Sequence, residues 1–176
     1  VAVIGKLTYA QKKCVSLVGL CMQRTGMLRP GDRIGVAVSG GVDSFVLLKT
    51  LLLRRAIVPF PFEVMALHVN PGFSPESHQA LTRWCAREGV ALQEPFFEGR
   101  LQVVRPALLV EKNFIRAAAR HWALPVWAND CPSNGKTRRD DMLGWLRELW
   151  ARDKAFRVNT FNALTKWQLG LTSARQ

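Results

Sequence analysis

Six consecutive residues have the types and spacing to hold a chain of phosphates: Ser39-Gly40-Gly41-Val42-Asp43-Ser44. Glycines at 40 and 41 remove Cβ atoms where backbone must come close to anionic oxygens. Successive N–H groups can then form an anion nest. A helix starting where the loop ends turns its positive end toward the same point. Ser39 and Ser44 add hydroxyl donors, and Val42 adds a backbone N–H. Asp43 is out of place beside phosphate unless it holds Mg²⁺ or orients the loop, and it is expected to do so together with the metal. Two other phosphate loops do not fit. A Walker A loop ends in Gly-Lys-Ser/Thr, and the dinucleotide fingerprint needs G-x-G-x-x-G.

Such a loop works only between a strand and a helix. Residues 33–38 read as a short strand, with β-branched Ile34, Val36 and Val38. Residues 39–43 read as the loop, and 44–55 as a helix with Phe45, Leu47, Leu48, Leu51 and Leu52 as its buried stripe. Residues 62–69 are a second strand. Ser74-Pro75-Glu76 reads as an N-cap with Pro at the first helical position, opening a helix that ends near Glu88. Residues 90–97 are a third strand. An amphipathic helix over 9–27 precedes all of these. The order β-α-β-α-β with continuous apolar strands predicts a parallel sheet covered on both faces.

The pattern then breaks. Glu98-Gly99-Arg100 leads directly into an apolar run, 101–108, that reads as another strand. A parallel neighbour needs a crossover of about 10–12 residues. Either the sheet turns antiparallel, or an internal segment is absent at Gly99–Arg100, and the second is favoured. Helices follow over 111–122, 137–151 and 157–169. The expected domains are 1–130, which binds the phosphates, and 131–176, a basic helical extension. Met142, Trp145, Leu146 and Leu149 form one face of that extension. Lys136, Arg138 and Arg139 follow a loop that contains Cys131 and are candidate nucleic-acid phosphate contacts.

The chain has 25 Lys and Arg against 13 Asp and Glu, a net charge of +12. ATP needs only a few cations, so the excess points to a larger polyanion, and nucleic acid is the natural one. Cys14, Cys21, Cys85 and Cys131 lack CxxC spacing, and a disulfide framework is not expected. Cys14 and Cys21 share a helix face and read as small core residues. Charges interrupt every apolar stretch well before a membrane span of about 20 residues. Lys6, Lys12, Lys13, Arg24 and Arg29 break any export signal, so a cytoplasmic address is expected.

The loop resembles the SGGxDS motif of the PP-loop (N-type ATP pyrophosphatase) superfamily. That resemblance implies an α/β, doubly wound parallel sheet of the adenine nucleotide alpha hydrolase-like, Rossmann-like kind, with strand order 3-2-1-4-5. It implies that Ser39, Gly40, Gly41, Asp43 and Ser44 grip the phosphates of ATP. Adenylation of a substrate oxygen with release of pyrophosphate follows, and a nucleophile then displaces AMP. Met27–Leu53, Val104-Arg105-Pro106, Val110-Glu111, and Arg139, Met142, Leu146, Arg157, Asn159 and Ala163-Leu164 are similar to the tRNA 2-thiocytidine synthetase family. This implies tRNA as substrate and a sulfur donor, protein or sulfide, with no membrane partner; a homodimer is compatible with it. It also implies a 4Fe–4S cluster held by a mid-chain CxxC and a late cysteine. Cys131 matches the late position, and the CxxC would belong in the absent segment. Leu67-His68-Val69-Asn70, Ser74–Ser77, Trp127, Asp130, Ser133-Asn134 and Val42 are instead similar to lysidine synthetase. His68 at the end of the second strand would face the ligand crevice, either as a nucleotide contact or as a local hydrogen-bonding group. A third alternative is a nucleotide-binding protein that has kept the loop and lost the chemistry.

Overall fold

The computed structural model describes residues 6–70, 75–93, 102–127, 138–153 and 155–163. Helix α1 (Tyr9–Thr25) opens on a capping box: the Thr8 hydroxyl accepts the Gln11 N–H, and the Gln11 side chain accepts the Thr8 N–H. It stops at Gly26, which takes the left-handed conformation at φ 60°. Strands β1 (Arg33–Ala37), β2 (Glu63–Leu67) and β3 (Ala91–Gln93) form a parallel sheet in the order β1-β2-β3. Helices α2 (Val42–Arg55) and α3 (Pro75–Glu88) make the two crossovers. Val36 lies opposite Ala66, and Ala66 opposite Leu92. The α/β class with a parallel sheet is therefore as expected. Helix α2 begins earlier than the expected Ser44, so Val42 and Asp43 belong to its first turn.

The core lies on one face of the sheet. Val36, Val38, Val64 and Ala66 pack with Phe45, Leu48 and Leu51 of α2 and with Leu81, Trp84 and Cys85 of α3. The Phe45 and Trp84 rings meet edge to face at 5.5 Å. Lys49 of α2 and Glu88 of α3, both largely buried, pair at 2.5 Å and tie the crossovers together. The opposite face presents Arg33, Gly35, Ala37, Glu63, Ala91 and Gln93, all exposed, with Met65 buried and Leu67 half-buried among them. Cover on both faces was the expectation; among the described residues one face is covered. The alternate positions on the other face are mostly charged, polar or small, so they offer little apolar area to bury.

The expected strand over 101–108 does not form. Residues 102–105 are irregular, and Pro106–Leu109 is a short 3-10 helix. Pro106 has no N–H for a ladder, and Val103 is 87% exposed. The apolar part of this run instead packs against α1, burying Pro106, Leu109 and Val110. Helix α4 (Lys112–His121) follows and buries Ile115, Ala118 and Ala119 against α1 and α2. The Gly99–Arg100 junction, the Ser74 cap and the end of the third predicted strand lie outside the described residues.

The chain divides into two compact units, residues 1–128 and 129–176. In the second, α5 (Arg138–Arg152) and residues 155–163 are helical. On the apolar face expected for α5, Met142 is 56% and Trp145 58% exposed, while Leu146 and Leu149 are half-buried. Among the described residues no helix is long and apolar enough to cross a membrane.

Candidate functional site

The site is built where β1 ends. The Val38 N–H donates to the Leu67 carbonyl, which extends the β1–β2 pairing by one residue past β1 and fixes where the loop departs. Gly40 then takes φ +86°, open to glycine and strained for other residues. A Cβ there would fall 2.0 Å from the Trp127 indole, so the ring occupies the space that only glycine leaves. The Trp127 N–H donates to the Gly40 carbonyl at 3.2 Å. Its ring meets Phe45 edge-on at 5.6 Å and His68 at 6.4 Å. A tryptophan from beyond α4 thus braces the loop from the side.

Gly41 is the N-cap of α2, in extended conformation and without a side-chain cap. The first helical hydrogen bond is Phe45 N–H to the Gly41 carbonyl. The N–H groups of Val42, Asp43 and Ser44 therefore have no acceptor within the helix. They sit at the positive end of a 14-residue helix. The Ser44 hydroxyl donates to the Gly41 carbonyl at 2.8 Å, which holds the turn, while Ser39 is exposed. This arrangement of small residues, free donors and helix dipole suits phosphate oxygens.

Asp43 faces outward, and its carboxylate pairs with the Lys112 ammonium, the first residue of α4. Both side chains remain about half exposed. Sequence reasoning missed Lys112, because nothing in spacing connects residues 43 and 112. The available signal was chemical: an acid in an anion-binding loop needs a cation nearby. One carboxylate is enough for Mg²⁺, which keeps several waters and takes its other ligands from phosphate. The loop therefore fits ATP with Mg²⁺.

His68 lies just past β2, and only 7% of it is exposed. Its N–H donates to the Gln93 carbonyl at 3.0 Å. Nδ1 is 2.7 Å from the Val38 carbonyl, which can only accept, so Nδ1 carries the proton. The ring also stacks on His78 at 5.4 Å. These contacts join the ends of the three strands beneath the loop.

Cys14, Cys21 and Cys85 are buried free thiols in separate places. Burial pushes the Cys14 and Cys85 thiols up to about 11 and raises Cys21 as well. Thiols held protonated are poor nucleophiles. Among the described residues no group of three His, Cys, Asp or Glu could hold a metal. The described cysteines therefore do not fit an iron–sulfur cluster. Cys131 and Lys136 lie outside the described residues. Arg138 opens α5 and is exposed, and Arg139 is the next residue of that helix. Within this unit the Arg157 guanidinium lies over the Trp150 ring at 6.0 Å.

A sequence profile for the PP-loop domain matches residues 11–121. Over 80 residues the chain is 35% identical to the tRNA-cytidine(32) 2-sulfurtransferase of Geobacter sulfurreducens, covering 46% of this chain and 31% of that protein. It is 42% identical over 62 residues to the enzyme of the same name from Syntrophotalea carbinolica, covering 35% and 24%. A longer match, 144 residues at 26% identity, covers 80% of this chain and 34% of the Psychrobacter sp. protein of that name. The chain thus spans about a quarter to a third of the length of these curated relatives. The matched segment takes in more than half of the chain, including the glycine loop, the uncapped start of α2 and Lys112, and on that match the chain belongs to the PP-loop family.

Proposed function

We propose that this chain is the ATP-binding part of a tRNA-modifying enzyme that adenylates a base carbonyl, with cytidine thiolation as the outcome. The observation that carries the reading is the uncapped start of α2 behind Gly40 and Gly41, with Asp43 and Lys112 at its rim. The names of the relatives supply the substrate class. Ser39, Gly40, Gly41, Val42 and Ser44 hold the phosphates, and Asp43 would hold Mg²⁺, which would neutralise phosphate charge there. Lys112 can pair with a phosphate oxygen. The base oxygen attacks the α-phosphorus, the bond to the β-phosphate oxygen breaks, and pyrophosphate leaves. A sulfur nucleophile from a donor protein or sulfide then displaces AMP, and Cys131 is the candidate to handle that sulfur.

Residues 131–176 supply tRNA contacts through Lys136, Arg138 and Arg139. The exposed Met142, Trp145, Phe156 and Val158 beside arginines support this, since bases stack on such surfaces. The chain is incubated with Mg-ATP, with and without unmodified tRNA, and AMP is separated from ADP. AMP and pyrophosphate formed only with tRNA is the expected result, and nucleoside analysis then separates thiolation from lysine transfer. No AMP under either condition would sink the reading.

A further inference from the structure

We propose a second RNA-backbone contact surface on the ATP-binding unit itself, formed by Arg83 and Arg87 of α3 and Arg116 and Arg120 of α4. It rests on the tRNA reading above for the identity of its polyanion. The two arginine pairs flank the segment Ala123–Val126, which leaves α4 through a turn with Ala123 at φ +47°. On one side of this segment is a shallow concavity of about 360 Å³, lined by Arg83, Arg87, Trp84 and Pro125. On the other is one of about 290 Å³, lined by Arg116, Arg120, Leu124 and Val42. Ala123 borders both.

Each pair has i, i+4 spacing, so both members point to the same side of their helix, about 6 Å apart along its axis. All four arginines are exposed. Among the described residues Arg83, Arg116 and Arg120 have no carboxylate within ion-pair distance. Arg87 has only Glu88 at 4.0 Å, and Glu88 is already held by Lys49 at 2.5 Å. Four guanidinium groups without strong partners cost self-repulsion unless an anion meets them. A small anion would fill one concavity; two open ones on either side of a ridge suit a strand that crosses it. Val126 is 40% exposed on that ridge and, with Pro125, offers apolar surface between the cations. Guanidinium planes beside apolar surface suit single-stranded or loop RNA, where phosphates and unstacked bases alternate. Val42, the first residue of α2, lines the second concavity, so the track ends at the phosphate loop.

The test measures binding of unmodified tRNA to the 176-residue chain across a salt series, for three double variants. They are Arg83→Gln/Arg87→Gln, Arg116→Gln/Arg120→Gln, and a control with equal charge change on α1, Lys12→Gln/Arg24→Gln, neither residue of which lines either concavity. Each arginine pair is expected to weaken binding about tenfold near 0.1 M salt and to lower the slope of log affinity against log salt by roughly 1–2. The control is expected to change affinity less than about twofold. Circular dichroism and Mg-ATP binding confirm that each variant is folded with its phosphate loop intact. Wild-type affinity retained in both arginine pairs, or an equal loss in the control, overturns the surface and leaves the proposed function standing. No binding by the wild type brings down the tRNA reading itself.

Discussion

Replacing Gly40 with alanine tests how the loop is held. The new Cβ would sit 2.0 Å from Cε2 and 2.3 Å from Cζ2 and Nε1 of Trp127. The indole cannot give way cheaply, because its own backbone N–H is bonded to the Gly40 carbonyl. Left-handed backbone at a residue with a Cβ costs about 1–2 kcal/mol. Displacing the ring forfeits edge contacts to Phe45 and His68, at about 0.5–1.5 kcal/mol each. The backbone hydrogen bond adds about 1 kcal/mol. The expected loss of unfolding free energy is therefore about 3–6 kcal/mol, read from the urea midpoint at constant slope. Trp127→Ala removes the clash, so Gly40→Ala/Trp127→Ala is expected to cost about 1–3 kcal/mol less than the sum of the singles. A single-variant cost below about 1 kcal/mol, or strict additivity in the cycle, would refute the bracing of Gly40 by Trp127.

Asp43→Asn is expected to leave stability within about 1 kcal/mol, since the pair with Lys112 is half exposed; on the proposal that Asp43 holds Mg²⁺ for adenylation, AMP formation is expected to fall at least roughly tenfold, read by product separation. His68→Ala is expected to cost about 1–3 kcal/mol in denaturant unfolding, because the Val38 carbonyl loses its donor. Cys14, Cys21 and Cys85 are expected to resist a thiol reagent at pH 8 in the folded chain and to react at once in denaturant. With Cys14 and Cys85 raised from 9.0 to about 11 in the folded state, their stabilising contribution is full below pH 9 and is lost as pH rises toward 11. Thermal melts across that window check the sign.

Much of the fold was legible because the signals were local. Strand–glycine–helix order located the turn from β1 into α2, and Pro75 opened α3 at the expected place. The apolar run at 101–108 misled, because Val103 and Val104 look like strand residues while Pro106 removes a donor and favours the 3-10 turn that forms. Helix periodicity placed α5 correctly but does not encode burial: of one apolar face, Met142 and Trp145 are exposed while Leu146 and Leu149 are half-buried. The contact between residues 43 and 112 and the packing of Trp127 on Gly40 depend on how α4 and its exit segment dock, which no short-range pattern encodes.

The absent side-chain cap at Gly41 ties the stability of α2 to the solution around it. Any oxyanion that reaches the N–H groups of residues 42–44 completes the helix as a cap would, so the ligand becomes part of the secondary structure. An anion present at a hundred times its dissociation constant stabilises the folded chain by about 2.7 kcal/mol. Amide exchange at these three positions is therefore expected to slow in phosphate or pyrophosphate, while exchange in the capped first turn of α1 stays the same.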